Sequence, residues 1–206
     1  MFDRLAIAKE PAANQGRSIL IIGGAGGVGS IAIQIAKHIA GLRVIATASR
    51  PESIDWCRKL GADAVIDHNL PFRPQLADLG LAEVEYIFCL NSTEQHFESM
   101  ADIIAPQGKI CTIVGTKNDQ PLNINLLQRK SAALVWELMF TRPLFQTPDM
   151  DAQHRLLAAV AELIDAGILL TTLTTDLGPL TTESLREAHR QIETGRTIGK
   201  IALGAM

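Results

Sequence analysis

Cysteine is scarce in this chain: Cys57, Cys89 and Cys111 are the only three among 206 residues. An odd number of cysteines without C-x-x-C spacing argues against a disulfide framework. Cys89 and Cys111 fall within apolar runs, where a free thiol behaves as a small hydrophobic group. We therefore interpret the chain as a protein of the reducing cytoplasm.

Long apolar runs and a strong charge of one sign are also lacking. No stretch approaches the ~20 apolar residues that a membrane span requires, and residues 1–4 lack the basic start of a signal peptide. The net charge of −3 does not favour nucleic acid or an anionic membrane as a partner. Any anion-binding site must therefore be built locally.

Metal-ligand spacing is missing as well. The histidines, at positions 38, 68, 96, 154 and 189, form no H-E-x-x-H motif and accompany no cysteine pair. Since a catalytic zinc needs three protein ligands and an open position, we predict no metal site in this chain. No nucleophile, base and acid can be assigned together, so the catalytic residues stay unknown.

Strand-length apolar runs alternate with segments of helical periodicity. We predict strands at 17–22, 44–48, 64–66, 84–90 and 109–114, with 133–140 as either a sixth strand or more helix. After Arg142 the pattern indicates helices at 147–166 and 182–193, a segment rich in β-branched residues at 171–177 and a strand at 199–203. Strands alternating with helices are typical of a parallel sheet covered on both faces. The predicted fold is therefore α/β: a Rossmann-type, doubly wound parallel sheet of about six strands with a C-terminal helix/strand appendage.

Three helix starts carry capping signals. Ser49 precedes a helix that opens near Pro51, and Ser92 with Gln95 matches a capping box. Thr181 or Thr182 offers the cap of the last helix.

The pattern G-x-G-x-x-G begins at Gly24, directly after the first predicted strand and at the start of a predicted helix. In that context the motif indicates a dinucleotide site. We assign Gly24 to the tight turn, Gly26 to the approach of a pyrophosphate and Gly29 to close helix–strand packing. Gly27 and Val28 complete the loop, whose free N–H groups would hold the anion. The alternative is a purely structural strand–helix turn.

The end of the second predicted strand bears on which dinucleotide is bound. An NAD site usually places Asp or Glu there, about 20 residues beyond the glycines, to bind the ribose hydroxyls. Here the position holds Ala48, followed by Ser49 and Arg50. A hydroxyl and a guanidinium accept a 2′-phosphate that a carboxylate would repel. We therefore predict NADP(H) rather than NAD(H), with a plain helix cap and a solvated surface charge as the alternative roles of Ser49 and Arg50.

Four motifs in order resemble the medium-chain dehydrogenase/reductase superfamily, and within it the quinone oxidoreductase-like and zinc-type alcohol dehydrogenase-like branch. They are GGAGGVG at 23–29, LGADAVID at 60–67, PQGK at 106–109 and GRTIGKIAL at 195–203. Together they are more specific than the glycine loop alone, and the resemblance covers nearly the whole chain.

The resemblance implies further positions for the cofactor. His68, just after the third strand, would approach the 2′-phosphate, with an exposed loop histidine as the alternative. Leu90 and Asn91, then Gly115 and Thr116, follow the fourth and fifth strands and would pass the nicotinamide and its ribose.

The resemblance also implies a domain plan and an assembly. Residues 1–16 would be the tail of a connecting helix, and 17–170 the dinucleotide-binding domain. Residues 171–206 would pack on an N-terminal catalytic domain resembling GroES, which is absent from this chain. The strand at 133–140 resembles an edge strand that pairs across a two-fold axis, so we expect a homodimer.

The function implied is that of an NADPH-dependent reductase passing hydride to a small quinone, enone or carbonyl substrate. Two alternatives stay open. This chain is a cofactor-binding or interaction module without activity of its own, or it is a fragment of an NAD-dependent zinc alcohol dehydrogenase.

Overall fold

A six-stranded parallel sheet forms the centre of the computed structural model, which describes residues 2–116 and 121–204. The strands are β1 Ser18–Ile22, β2 Arg43–Thr47, β3 Ala64–Ile66, β4 Val84–Cys89, β5 Ile104–Thr112 and β6 Ala133–Trp136. Their order is β3-β2-β1-β4-β5-β6, so the connection changes direction between β1 and β4. The Rossmann-type, doubly wound sheet predicted from the sequence is confirmed. Met1 and residues 205–206, the outer ends of two predicted segments, lie outside the described residues.

Eight α-helices lie among the described residues. They are α1 Phe2–Leu5, α2 Gly27–Gln34, α3 Pro51–Lys59, α4 Phe72–Asp78, α5 Thr93–Ile103, α6 Thr141–Phe145, α7 Ala152–Asp165 and α8 Thr182–Glu193. Helix α2 continues as a π-helical turn over Ile35–Ile39, and 3-10 turns span Pro11–Asn14 and Ile124–Lys130. Within the described ranges, none of the helices is both long and apolar enough to cross a membrane.

All five residues of β1 are buried, because helices cover both faces of the sheet. Alternate side chains enter two separate hydrophobic clusters. Ile21 belongs to the cluster that contains Ile33 of α2, whereas Ile22 belongs to the one that contains Phe97 of α5. Burial on both faces explains why the strand is apolar throughout rather than at every second residue.

The C-terminal appendage contains a second, two-stranded parallel sheet. Its strands are β7, Leu173–Pro179, and β8, Lys200–Gly204, and α8 connects them. Thr181 caps α8: its side-chain oxygen accepts from the Ser184 N–H at 3.1 Å, and the Ser184 hydroxyl oxygen accepts from the Thr181 N–H at 2.9 Å. The predicted helix start is confirmed.

Two predicted caps are wrong. The N-cap position of α3 is Arg50 rather than Ser49, and no side chain caps the helix. Ser92 does precede α5, but its backbone is left-handed, with φ 45°, and its side chain makes no capping bond. A side-chain cap needs an extended backbone at that position, so the sequence match could not form the capping box.

Several boundaries also differ from the prediction. Strand β5 begins at Ile104 because Val84 pairs with it before a register shift leads to the pair Tyr86 and Lys109. The ambiguous segment 133–140 begins as strand β6, and the short helix α6 after it was not predicted.

Candidate functional site

A cavity of about 490 Å³ lies at the carboxyl ends of β1, β2 and β4, where the strand order reverses. In open α/β sheets this edge is where ligands bind. Most of the predicted site residues line it: Gly26, Gly27, Val28, Gly29, Ser49, Arg50, His68, Leu90 and Asn91. Three others, Gly24, Gly115 and Thr116, are not part of the lining. The fold therefore brings together both phosphate-binding predictions and the first half of the nicotinamide prediction.

Gly23 begins the tight turn after β1. Its φ of +85° lies in the left-handed region that favours glycine. At Gly24 the constraint is space, since an added Cβ would lie 2.8 Å from the Cβ of Ala46 and 3.1 Å from the Sγ of Cys57. Gly24 lies within this turn, and the close packing of the loop on β2 and α3 is a further reason for glycine at this position.

Gly29 and Gly26 have the surroundings that were predicted for them. A Cβ on Gly29 would lie 2.5 Å from the Gly24 carbonyl oxygen, so only glycine allows α2 to approach the turn so closely. A Cβ on Gly26 would have only the Gly23 carbonyl oxygen within 4 Å, at 3.6 Å. The backbone at Gly26 is thus open toward the cavity. The first N–H groups of α2, which have no acceptor within the helix, begin at the same place.

Arg50 lies at the other end of the cavity, after β2. Its Nη1 is 3.0 Å from the Oε1 of Glu52, and its Nη2 donates to the carbonyl oxygen of Arg196 at 2.7 Å. The side chain is 27% exposed. The guanidinium is therefore held at the cavity wall by two partners. This arrangement differs from the alternative, in which Arg50 is a solvated surface charge. Ala48, beside it, is buried.

The C-terminal segment contributes a wall that sequence reasoning missed. Gly195, Arg196 and Thr197 line the cavity, and the Gly199 N–H donates to the Ala25 carbonyl oxygen at 2.8 Å. The Lys200 side chain covers Gly27, where an added Cβ would lie 2.7 Å from its Cδ. The only sequence signal for this contact is the motif at 195–203.

Leu90 and Asn91 form the wall after β4, where Asn91 packs beside Gly23: a Cβ added to Gly23 would lie 3.4 Å from the Asn91 Oδ1. Below them lies a buried polar cluster. The Thr93 hydroxyl is 2.5 Å from that of Thr112 and donates to the Val114 carbonyl oxygen at 3.0 Å. These bonds fix the end of β5 to the start of α5, immediately before Gly115 and Thr116.

His68 lines the cavity and contacts a second histidine. Its ring lies 6.4 Å from the ring of His96, edge to face, and His96 also stacks on Phe72 at 5.7 Å. Burial, and secondarily the nearby His68, lower the pKa of His96 below its ordinary value. His96 is therefore held neutral behind the cavity wall.

Burial keeps the thiols of the buried cysteines uncharged. Burial raises the pKa of Cys57 to about 12 and that of Cys89 to about 11. Across residues 2–116 and 121–204, no three side chains of His, Cys, Asp or Glu are grouped so that they could hold a metal ion.

Comparison with known proteins places the chain in a family. The sequence model of the zinc-binding dehydrogenase family matches residues 27–153, more than half of the chain. A zinc-type alcohol dehydrogenase-like protein of Staphylococcus epidermidis is 43% identical over 203 residues, which cover 98% of this chain. The chain spans about 60% of the length of that relative.

Two solved structures share the fold. One, of a candidate zinc-dependent alcohol dehydrogenase from Rhizobium etli CFN 42, has a TM-score of 0.90 and 46% identity, over 100% of this chain and 59% of that one. The other, of a mycobacterial protein in complex with NADPH, has a TM-score of 0.75 and 25% identity, over 92% of this chain and 57% of that one. The chain thus belongs to the zinc-binding dehydrogenase family of the medium-chain dehydrogenase/reductase superfamily, and it corresponds to the cofactor-binding segment of those proteins.

Proposed function

We propose that this chain is the NADP(H)-binding domain of an oxidoreductase that reduces a small quinone, enone or carbonyl compound. When bound, the nicotinamide supplies the hydride chemistry, while the protein supplies binding and orientation. The observation that carries the proposal is Arg50, whose guanidinium is held at the cavity wall. The position at the end of β2 that usually holds an acid in NAD sites is occupied by Ala48.

The two ends of the cavity suit the pyrophosphate and the 2′-phosphate of NADPH. The open backbone at Gly26 and the first N–H groups of α2 suit the pyrophosphate, because helix N-termini bind anions. Arg50 suits the 2′-phosphate, since a guanidinium makes paired, charge-assisted hydrogen bonds to phosphate oxygens. The exposed hydroxyl of Ser49 and the His68 ring lie on the same cavity. The NADPH complex of the mycobacterial neighbour supports this choice of nucleotide.

The nicotinamide would lie beyond Leu90 and Asn91, toward Gly115 and Thr116. The first pair lines the cavity, and the second pair follows β5, which lies beside β4 in the sheet. In this proposal the carboxyl ends of β4 and β5 orient the ring, and the substrate approaches from the side on which residues 171–206 are predicted to meet a further domain.

We also propose a homodimer formed through β6, the strand at the end of the sheet order. Large apolar side chains are exposed on this strand and after it, including Trp136, Met139, Phe140 and Phe145. Exposed apolar side chains gathered next to an edge strand are typical of an interaction surface.

An NAD-dependent zinc alcohol dehydrogenase is the second candidate. The names of the Staphylococcus and Rhizobium relatives favour it, while the residues after β2 favour NADP(H). If metal analysis finds zinc bound to the purified chain, and the chain binds NADH more tightly than NADPH, this candidate replaces the first proposal.

Calorimetric titration with NADPH and NADH tests the nucleotide directly. We expect tighter binding of NADPH, and a loss of about 10- to 100-fold in NADPH affinity for Arg50→Ala, the size of one charged hydrogen-bonding group. Arg50→Asp should reverse the preference. Arg58→Ala is the matched control, because Arg58 is 65% exposed on the same helix and pairs only loosely with Asp55, at 3.9 Å.

Failure of both nucleotides to bind would contradict the proposal for this chain. Oxidation of NADPH by the purified chain in the presence of a quinone would exclude the third alternative, a module without activity of its own.

A further inference from the structure

The guanidinium of Arg50 is shared between the proposed 2′-phosphate site and an acid that sequence reasoning did not consider. Glu52, two residues along in the first turn of α3, holds Nη1 at 3.0 Å, and the Arg196 carbonyl oxygen holds Nη2 at 2.7 Å. Glu52 is 54% exposed. It lines a neighbouring cavity of about 610 Å³ that shares Arg196 and Thr197 with the dinucleotide cavity.

The geometry leaves Arg50 able to bind a further anion. A guanidinium has five N–H donors, and the two bonds to Glu52 and Arg196 leave others free. A phosphate can therefore bind Arg50 while Glu52 stays in place. The cation that would attract this phosphate is, however, already paired with one carboxylate.

That pairing affects the two nucleotides differently. A 2′-phosphate carries a charge of about −1.5 to −2 near neutral pH, as phosphate monoesters do, and it would be repelled by the nearby Glu52 carboxylate. NADH presents an uncharged 2′-hydroxyl instead, and this hydroxyl can donate a hydrogen bond to a carboxylate. Glu52 thus acts against NADPH without acting against NADH.

We infer that Glu52 is a specificity-determining residue, whose carboxylate limits the preference for NADPH that Arg50 creates. This inference rests on the proposed function and deepens it. The nucleotide preference is set by the balance of two side chains on one helix start, Arg50 favouring the phosphate and Glu52 the free hydroxyl.

A different role for Glu52 would predict a different result. Acidic side chains in the first turn stabilise a helix through its dipole, and an acid that holds Arg50 in place could also assist phosphate binding. In the first case Glu52→Gln changes stability but not the nucleotide ratio. In the second case Glu52→Gln weakens NADPH binding.

The experiment compares Glu52→Gln with Asp55→Asn by titration with NADPH, NADH, 2′,5′-ADP and 5′-AMP. Both substitutions remove one negative charge from exposed positions of α3, but Asp55 lies 3.9 Å from Arg58 and makes no ion pair with Arg50. We expect Glu52→Gln to bind NADPH and 2′,5′-ADP about three- to fivefold more tightly, the size of one exposed charge interaction. Binding of NADH and 5′-AMP should stay the same or weaken, and Asp55→Asn should leave the ratio unchanged.

Two further measurements fix the cause. In the Arg50→Ala background, Glu52→Gln should strengthen NADPH binding less, because only the direct repulsion between the carboxylate and the 2′-phosphate is then relieved. A double-mutant cycle measures this coupling between Arg50 and Glu52, and a coupling of zero would contradict the proposed role of their ion pair. The gain from Glu52→Gln should also shrink as salt is raised, because an exposed charge interaction is screened. Circular dichroism shows whether both variants are folded.

Unchanged or weaker NADPH binding by folded Glu52→Gln overturns the inference while leaving the proposed function intact. Failure of the wild-type chain to bind either NADPH or 2′,5′-ADP overturns both. The two failures are therefore distinguishable by the wild-type titration alone.

Discussion

Gln34 and Leu170, 136 positions apart in the sequence, exchange two hydrogen bonds. The Gln34 Nε2 donates to the Leu170 carbonyl oxygen at 3.1 Å, and the Leu170 N–H donates to the Gln34 Oε1 at 2.7 Å. Gln34 is 1% exposed and ends α2, the helix that begins at the glycine loop. Its amide thus connects that helix to the chain just before β7.

Removing this amide should destabilise the protein, because it leaves both backbone groups of Leu170 without their partner. We expect Gln34→Ala to lower the free energy of unfolding by about 1–3 kcal/mol in total, because each of the two lost bonds contributes about 0.5–1.5 kcal/mol. Urea denaturation measures the change. Gln153→Ala, at an exposed position of α7, is the control and should change stability by less than about 0.5 kcal/mol. Equal effects of the two substitutions would show that the bonds to Leu170 contribute nothing to stability.

The second prediction concerns two glycines of the loop, one expected to affect nucleotide binding and the other the stability of the fold. Gly29→Ala forces a Cβ to within 2.5 Å of the Gly24 carbonyl oxygen, so we expect a loss of about 1–3 kcal/mol from overpacking. Gly26→Ala meets only an oxygen at 3.6 Å. Its methyl group should leave stability unchanged and weaken NADPH binding by about tenfold or more, because it covers the surface proposed for the pyrophosphate.

Thermal unfolding and nucleotide titration of the two variants check this prediction. If the Gly26→Ala protein binds NADPH as tightly as the wild type does, the pyrophosphate does not bind against Gly26 as proposed. A Gly29→Ala protein with unchanged stability would show that α2 can move away from the turn at no cost.

Much of the fold could be predicted from the sequence, because its signals are local. A strand buried on both faces is apolar at every residue, as β1 is, and a helix on the sheet repeats its apolar residues at helical spacing. The glycine motif then located the cavity, because a G-x-G-x-x-G pattern between a strand and a helix marks the loop at the carboxyl end of that strand.

Features that depend on contacts distant in sequence could not be predicted in the same way. The bond between Gly199 and Ala25 and the hold of the Arg196 carbonyl oxygen on Arg50 involve backbone groups, which every residue possesses. The left-handed backbone conformation of Ser92 likewise cannot be predicted from the pattern of side chains around it. Sequence reasoning therefore found the parts of the cavity formed by the glycine loop and by the segments after β2, β3 and β4, and it missed the wall formed by the C-terminal segment.

The third prediction concerns acid stability and rests on His96. Burial lowers the pKa of His96 in the folded protein, whereas an unfolded histidine titrates near 6.5. As the pH falls below about 6.5, the unfolded chain takes up a proton at this position that the folded chain does not. The stability that neutral His96 provides is present above pH 6.5 and is lost as the pH falls, by at most about 1.4 kcal/mol per pH unit.

Urea denaturation between pH 7.5 and 5.5 measures this loss, and His96→Gln should reduce it because glutamine does not titrate. His154→Gln is the matched control, since His154 is exposed on α7 and should keep the wild-type pH dependence. The packing of His96 against Phe72 and His68 means that His96→Gln also lowers stability at pH 7.5, so the slope with pH, and not the absolute value, is the result to compare. An unchanged slope in His96→Gln would show that His96 is protonated in the folded protein as readily as in the unfolded chain. Neither burial nor the contact with His68 would then lower the pKa of His96.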